Sequence, residues 1–203
     1  MTGPVTGPGP DASLPRCPWA TSTPDYMAYH DEEWGRELRG DAALFERVSL
    51  EAFQSGLSWI TILRKREAFR SAFAGFDPET VAGFADADVQ RLLADAGIVR
   101  NRAKIEATVN NARAVLGLDG SFTELLWSFA PAADGRRAPR TPADVPATTA
   151  ESKAMAKELK RRGFRFVGPT TAYALMQATG MVDDHLADCW VRKYRTQSVP
   201  TDT

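Results

Sequence analysis

The sequence predicts an all-α protein, and three observations support this fold class. Apolar residues recur at helical spacing along most of the chain, polar capping residues precede these stretches, and no run shows the alternation that is typical of a strand. With 203 residues, of which 43% are hydrophobic and 25% charged, the chain has the size of one globular domain. We expect this domain at 16–195, in two helical lobes, between tails at 1–15 and 196–203.

Start and stop signals place the helices in order along the chain. The predicted helices run from Asp41 to about Gln54, from Ser58 to Phe73, from Asp77, from Asp86 to Gly97, from Lys104 to Leu116, from Ser121, from Thr149 to Arg162 and from Pro169. Asp41 is expected to cap the first of these helices, and Gly163 ends the seventh. Ser121 and Glu124 form a capping box. The stretch 130–147, rich in Pro, Ala and Asp, is predicted to be a loop.

Targeting and membrane signals do not occur in the sequence. The chain begins MTGPVTGPGPDASLP, which lacks the basic and apolar regions of a signal peptide. No apolar run approaches the roughly 20 residues of a membrane span. We therefore expect a cytoplasmic monomer that has no membrane partner.

The charge pattern excludes a global attraction to nucleic acid but not a local one. The formal net charge is −1, yet basic residues are concentrated at 64–70, 100–104 and 153–165. Such a concentration can hold a phosphate backbone locally. The same residues can equally form solvated helix faces, and the charge pattern alone does not decide between these interpretations.

Both cysteines and both histidines fall into two short clusters far apart in the sequence. Cys17 lies with His30, and His185 lies with Cys189. Two thiolates and two imidazoles form a closed tetrahedral shell for one structural zinc ion, which would join both ends of the domain. His185 and Cys189 share one face if that segment is helical. Buried cysteines and histidines without a metal, or a disulfide, remain alternatives at this point.

A short apolar link joins the last two predicted helices. The residues between Gly163 and Pro169 read Phe-Arg-Phe-Val-Gly, so the second helix follows Gly168 at once. A glycine at this point lets backbone N–H groups approach an anion at a helix N-terminus. The pattern is compatible with a hairpin that grips a DNA phosphate, and also with an ordinary helix connection.

One acid lies on the apolar face of a predicted helix. Leu44, Val48 and Glu51 are spaced to face the interior together, and a buried acid is costly unless it is paired or functional. The surrounding sequence is rich in aromatic residues: Trp19, Tyr26, Tyr29, Trp34, Phe53 and Trp59. These residues could form an ordinary core, or a pocket for a flat, electron-poor base.

Many short segments, in the same order, resemble the DNA-3-methyladenine glycosylase I family of bacterial base-excision repair. The resemblance covers about Arg16 to Trp190. The matching segments include Cys17-Pro18-Trp19, Tyr29-His30-Asp31, Glu33-Trp34-Gly35, Leu50-Glu51, Gln54 to Trp59, Leu63 to Glu67, Asp95 to Ile98, Lys104-Ile105, Asn111 to Arg113, Trp127 to Phe129, Lys160 to Phe164, Phe166 to Gly168 and Asp184-His185. So many ordered matches make chance similarity untenable.

The resemblance implies a helix-hairpin-helix DNA glycosylase fold in which zinc ties the N-terminal and C-terminal segments. Carried over position by position, it implies the following roles: Cys17, His30, His185 and Cys189 as zinc ligands; Glu51, Tyr29 and Trp59 as readers of the extruded base, with Tyr26, Trp19 and Trp34 nearby; Gly56 and Leu57 as the loop at the lesion; Phe166, Val167 and Gly168 as the DNA-gripping hairpin. The partners are double-stranded DNA with alkylated bases and free 3-methyladenine. No lysine matches a nucleophile, which implies hydrolysis to an abasic site without strand cleavage.

Asp183 departs from the family pattern, which more often has asparagine at this position. It lies near the point where other helix-hairpin-helix glycosylases keep a catalytic aspartate, so it is either a silent acid beside the zinc or a contributor to catalysis. Two rival functions remain at this stage. A non-catalytic damage-binding module would keep the fold and the metal, and a zinc hydrolase would need an open metal position that four protein ligands do not leave.

Overall fold

A computed structural model of the chain describes residues 13–132 and 136–197, with side chains up to residue 194. Within these ranges all regular structure is helical: α1 (Pro24–Glu32), α2 (Asp41–Gln54), α3 (Trp59–Ala72), α4 (Pro78–Ala82), α5 (Asp86–Ala94), α6 (Arg102–Leu116), α7 (Phe122–Trp127), α8 (Ala150–Arg161), α9 (Pro169–Ala178) and α10 (Trp190–Gln197). Short 3₁₀ helices occupy Pro18–Thr21, Ala74–Phe76 and Pro142–Asp144. The all-α prediction is therefore confirmed. Most of the two predicted tails, at 1–12 and 198–203, lies outside the described residues.

Asp41 does not cap the helix that it was predicted to cap. Gly40 precedes α2, with φ of 98°, and Asp41 is already the first helical residue. Its carboxylate reaches across to α7, where it accepts hydrogen bonds from the backbone N–H of Phe122 at 3.1 Å and of Thr123 at 2.8 Å. The first N–H groups of any helix have no hydrogen-bond acceptor within that helix, so a carboxylate on a neighbouring helix can accept from them. Asp41 thus joins α7 to α2.

Helix α2 forms the centre of the hydrophobic core. It packs against α3, α6, α7 and α9. It contributes five fully buried apolar side chains, those of Leu44, Phe45, Val48, Leu50 and Phe53. Burial of each such side chain contributes about 1.5–3 kcal/mol relative to exposure. The position of a functional group on α2 is therefore fixed by the core itself.

The segment before α1 lies against the start of α10 and the residue before it, and Cys17, Cys189 and Val191 form a second, small apolar cluster there. The backbone N–H of Trp190 donates to the carbonyl of Pro15 at 2.9 Å. The segment 183–189 is not helical, and α10 begins only at Trp190. The condition under which His185 and Cys189 would share a helix face is therefore not met. A turn closed by Cys189 N–H and the Leu186 carbonyl orients this segment instead.

Membrane-spanning helices are absent from the described ranges, where no helix combines sufficient length with sufficient apolar character.

Candidate functional site

Three of the four predicted metal ligands lie together in the structure. The ligand atoms of Cys17, His30 and Cys189 are all within 4.8 Å of one another, and all three residues are buried. Both cysteines are free thiols, so the disulfide alternative is excluded. Their mutual hydrogen bond, together with one from His30, lowers the pKa of Cys189 to about 4, while the same bond and burial raise the pKa of Cys17. One ionised thiol beside an imidazole is a suitable donor set for a metal such as zinc.

The fourth predicted ligand, His185, is adjacent to this group but not part of it. The centre of its ring lies 4.9 Å from that of His30. Its Nδ1 hydrogen-bonds to Asp183 Oδ1 at 2.7 Å, and its Nε2 is buried without a hydrogen-bond partner. A histidine that donates from one ring nitrogen to a carboxylate presents the lone pair of the other nitrogen to a metal. The unsatisfied nitrogen therefore fits a ligand role, and His185 stays the predicted fourth ligand.

A saturated network of hydrogen bonds surrounds the cluster. Asp31 accepts from His30 Nδ1 at 2.8 Å, from Arg16 NH2 at 2.8 Å and from Trp190 Nε1 at 3.2 Å. Burial opposes ionisation of Asp31, but the hydrogen bonds from Arg16 and His30 outweigh it and lower the pKa of this carboxyl. This one carboxylate thereby joins the chain before α1, α1 itself and the start of α10.

A cavity of about 370 Å³ opens beside the cluster. Its lining includes all six residues that were predicted to contact the base, namely Trp19, Tyr26, Tyr29, Trp34, Glu51 and Trp59. Cys17 also lines it, so the cavity and the metal-ligand group share a wall. Residues from the N-terminal segment, α1, α2 and α3 thus converge on a single concave site.

The aromatic walls of the cavity brace one another. Tyr29 and Trp59 lie with ring centres 5.4 Å apart at 45°. The ring of Trp19 makes edge contacts with those of Tyr26 at 5.5 Å and Trp34 at 5.1 Å. The Tyr26 hydroxyl accepts a hydrogen bond from the backbone N–H of Ile60 at 3.0 Å, which fixes α1 against the start of α3. These flat surfaces are held rigidly and can stack on a planar ligand.

Glu51 brings an unpartnered acid into this cavity. It is only 5% exposed, and its carboxylate accepts no hydrogen bond from the described residues. Burial raises the pKa of Glu51 to about 7, and the positive charge of Arg47 opposes this rise. The sequence pattern had predicted that Glu51 faces inward, and the structure confirms this orientation. A buried carboxyl without a partner can accept hydrogen bonds from a ligand.

The opposite wall contains a second acid to which the sequence analysis assigned no role. Asp184 accepts hydrogen bonds from the Tyr173 hydroxyl at 2.6 Å, from Gln177 Nε2 at 2.9 Å and from Arg136 NH2 at 2.9 Å. Asp184 and Gln177 both line the cavity. The signals in the sequence were that Asp184 directly precedes His185 and that these two residues form one of the matching segments.

Asp183, the acid that was considered for catalysis, does not line the cavity. Its Oδ1 accepts from the ring and the backbone N–H of His185, and its Oδ2 lies 3.3 Å from Arg192. Hydrogen bonds from His185 and the charge of Arg192 lower the pKa of Asp183 against the effect of burial. These contacts support the silent-acid interpretation, in which Asp183 orients His185.

The loop predicted to reach the lesion follows α2 directly. Gly56 has φ of 81°, and Leu57 is 42% exposed. The buried Lys104 donates from Nζ to the carbonyls of Phe53 at 2.9 Å and Ser55 at 2.6 Å. Lys104 thus supplies partners for carbonyls at the end of α2 and fixes where the loop leaves the helix. No pattern in the sequence predicted this role of Lys104.

The predicted DNA-gripping hairpin lies between α8 and α9. Phe166 has φ of 58° and is 42% exposed, whereas the side chain of Val167 is buried, so any contact from Val167 would involve its backbone. A Cβ added at Gly168 would meet no atom within 4 Å. The buried Asn111 on α6 holds the hairpin with two bonds to the backbone of Arg165, at 3.0 Å to its carbonyl and 2.8 Å from its N–H.

Comparisons with known proteins agree with this architecture. A family model described as Methyladenine glycosylase matches residues 19–193. DNA-3-methyladenine glycosylase 1 of Escherichia coli (strain K12) is 45% identical over 179 residues, which cover 87% of this chain and 96% of that protein. A crystal structure of 3-methyladenine DNA glycosylase I is 45% identical, with a TM-score of 0.82 over 87% of this chain and 98% of its own. A variant 3-methyladenine DNA glycosylase I in complex with 3-methyladenine is 37% identical, with a TM-score of 0.80 over 87% of this chain and 96% of its own.

Proposed function

The chain belongs to the methyladenine glycosylase family, and we propose that it hydrolyses the N-glycosidic bond of 3-methyladenine in alkylated double-stranded DNA. The observation that carries this proposal is Glu51, a buried acid without a hydrogen-bond partner in a cavity walled by aromatic rings. An adenine methylated at N3 within DNA is a cation with hydrogen-bond donors at its edge. Ionised Glu51 accepts from that edge, while the faces of Tyr29 and Trp59 stack on the ring.

The leaving group explains how so sparse a site can catalyse hydrolysis. The methylated base already carries positive charge, so it departs as a neutral molecule when the glycosidic bond breaks. The protein extrudes the nucleotide, holds the base in the cavity and supports the oxocarbenium-like sugar until water attacks. No lysine is found among the described residues that line the cavity. The products are therefore free 3-methyladenine and an abasic site, without cleavage of the strand.

One exposed leucine and the backbone of the hairpin serve the grip on DNA. Leu57 fills the space that the extruded nucleotide leaves in the duplex. The hairpin from Phe166 to Gly168 presents backbone N–H groups to a phosphate at the start of α9. Phosphate contacts of this kind position the protein on the duplex without reading its sequence.

A zinc ion would be held by Cys17, His30, His185 and Cys189, one ion per chain. With four protein ligands it supplies a crosslink between the two ends of the domain and has no role in hydrolysis. The saturated network around Asp31 and the hydrogen bond between Asp183 and His185 keep both imidazoles in the tautomer that a metal requires. We place the enzyme in the cytoplasm as a monomer.

Release of the free base tests the proposal. The parent should release 3-methyladenine from methylated duplex DNA and leave alkali-sensitive abasic sites, whereas a damage-binding module would retain the DNA and release no base. Glu51→Gln keeps the shape and removes the charge, and we expect it to bind free 3-methyladenine about 10- to 100-fold more weakly. Trp59→Ala should cost a similar factor through the lost stacking face.

Glu46→Gln is the matched control for this experiment. Glu46 lies on the same helix as Glu51, is paired with Arg70 at 2.9 Å and does not line the cavity. The Glu46→Gln variant should bind free 3-methyladenine and excise it from DNA like the parent. If Glu51→Gln also matches the parent, Glu51 is a structural acid and the assignment of the cavity is wrong.

A further inference from the structure

Arg47 lies behind the aromatic wall of the cavity without lining it. It belongs to α2, one turn before Glu51, so the two side chains share a face of the helix. Its side chain is 10% exposed. Its guanidinium carbon lies 5.5 Å from the ring centre of Tyr29 and 5.7 Å from that of Trp59. A buried cation thus contacts two of the predicted base readers and neighbours the third.

The bond between Arg47 and Tyr29 determines what the tyrosine can offer a ligand. Arg47 NH1 donates to the Tyr29 hydroxyl oxygen at 2.9 Å. A guanidinium has no acceptor, so the tyrosine must accept this bond and its own O–H hydrogen remains for another partner. None of the described residues accepts that hydrogen. Tyr29 is therefore a donor available to an acceptor atom of a ligand in the cavity.

Arg47 also acts on the charge of Glu51. Burial disfavours the ionised form of Glu51, and among the described residues the charge of Arg47 acts against this effect. Other titratable or charged groups lie around the cavity: Cys17 before α1, Tyr26, Tyr29 and Glu33 at α1, Arg66 on α3, Lys104 on α6, and Asp184 with its partner Arg136. Glu33 pairs with Arg66, and its carboxylate also lies 3.7 Å from Arg47 NH2, so Glu33 sits between two arginines. Asp184 pairs with Arg136.

We propose that Arg47 is a positioning residue of the base pocket, which fixes the Tyr29 hydroxyl as a donor toward the ligand and, from one turn away on α2, favours the ionised form of Glu51. The inference rests on the proposed function and deepens it, because it explains how the recognition of the methylated base depends on a residue that does not touch it. Without Arg47, Tyr29 could turn its hydroxyl hydrogen elsewhere, and the positive charge that opposes protonation of the buried Glu51 would be lost.

The first arm of the test measures binding of free 3-methyladenine between pH 5.5 and 9 in the parent, Arg47→Met and Arg47→Lys. Arg47→Met keeps the packing volume and removes the charge, so the protein-dependent midpoint of binding should move to higher pH by about one unit. Arg47→Lys keeps the charge and should keep the midpoint. The titration of the ligand itself is common to all three proteins and cancels in the comparison. Arg47→Gln carries the same test if Arg47→Met does not fold.

The second arm isolates the tyrosine at pH 9, where we expect Glu51 to be largely ionised in the parent and in the variants. There, Arg47→Met should bind about three- to tenfold more weakly than the parent. In a Tyr29→Phe background the same substitution should have almost no effect, because the hydroxyl that Arg47 orients is gone. Additive losses would overturn the role assigned to Arg47 at Tyr29.

Arg91→Met is the matched control for both arms. Arg91 also lies over an aromatic ring, that of Phe84 at 5.4 Å, and pairs with the nearby Asp88, but neither it nor these partners line the cavity. It should leave the pH profile unchanged. An Arg47→Met profile identical to that of the parent overturns the inference alone. A parent that binds no 3-methyladenine at any pH overturns the proposed function, and the inference with it.

Discussion

The two walls of the cavity contain one acid each, and the two acids are held in opposite ways. On the C-terminal wall, which contains Gln177 and Asp184, three donors satisfy the Asp184 carboxylate. Arg192 donates to the carbonyl of the neighbouring Asp183 and so fixes this segment, which also contains two of the predicted metal ligands. On the wall formed by α2, Glu51 accepts no hydrogen bond from the described residues and has only the neighbouring charge of Arg47. One wall is complete without a ligand, whereas the other is left incomplete for one.

This difference separates the contributions of two similar side chains to stability and binding. An acid that accepts three hydrogen bonds stabilises the fold in the absence of substrate. A buried acid without partners costs stability, and it persists only where the cost has a function. We therefore expect substitutions on the C-terminal wall to reduce stability, and substitutions on the α2 wall to reduce ligand binding while stability holds or rises.

The largest effect should come from the metal-ligand group. Cys189→Ser removes a buried thiolate that neighbours both Cys17 and His30, so the free energy of unfolding should fall by more than about 3 kcal/mol in the metal-loaded protein. Purified parent should contain one equivalent of zinc by elemental analysis, and a chelator should lower its thermal midpoint to that of the variant. A parent without bound metal, or one that is equally stable with and without a chelator, would contradict the crosslink.

Substitutions of the two cavity acids, Glu51 and Asp184, should give the next largest effects on the free energy of unfolding. The two effects should have opposite signs. In the folded protein the pKa of Glu51 is raised from its usual value of 4.5 to about 7. The folded state therefore holds this proton more tightly than the unfolded state. The resulting stabilisation is present below pH 4.5 and is lost as the pH rises toward 7. At pH 8 the Glu51→Gln variant, which has no charge to bury, should be more stable than the parent by up to about 3 kcal/mol.

Asp184→Asn should have the reverse effect. Its amide cannot accept from Tyr173, Gln177 and Arg136 together, so the free energy of unfolding should fall by about 1–3 kcal/mol. Chemical denaturation of both variants between pH 4.5 and 8 measures the two effects. The higher stability of the Glu51→Gln variant relative to the parent should vanish near pH 4.5. If Asp184→Asn instead keeps its stability and loses base excision, Asp184 acts in the chemistry and the contrast between the walls fails.

Local sequence signals predicted the helices well but could not assign partners across the fold. The predicted α2, from Asp41 to Gln54, matches the observed bounds. Asp41 itself was assigned to the wrong helix, because a capping carboxylate can serve any helix N-terminus within reach. The four-residue spacing of His185 and Cys189 could not show whether the segment is a helix or a turn, and the structure has a turn there.

Local sequence signals also could not assign the contacts between residues around the cavity. Periodicity on α2 indicated that Glu51 faces inward, and the family resemblance supplied the aromatic residues around it. Neither indicated the role of Arg47, because its partner Tyr29 lies 18 positions away in the sequence. The bond from Arg136 to Asp184 spans 48 positions. Contacts of this kind follow from how helices pack and leave no spacing pattern in the chain.

The smallest expected effect lies outside both walls, at Gly168 in the hairpin. Gly168 has φ of −82°, which any residue can adopt, and the space around it is open. A leucine at this position should therefore leave the thermal midpoint unchanged. It should nevertheless hold a DNA phosphate away from the backbone N–H groups at the start of α9, which costs about one hydrogen bond, or on the order of 1 kcal/mol.

Fluorescence anisotropy with damaged and undamaged duplexes measures this effect. Gly168→Leu should weaken both complexes by a similar factor, because a phosphate contact carries no information about the base. Binding of free 3-methyladenine should be unchanged, since Gly168 does not line the cavity. Gly120→Leu, at another position with open space around it, is the matched control and should bind both duplexes like the parent. Unchanged affinity of Gly168→Leu for both duplexes would reduce the hairpin to a helix connection. A loss confined to the damaged duplex would place Gly168 at the lesion instead of on the phosphate backbone.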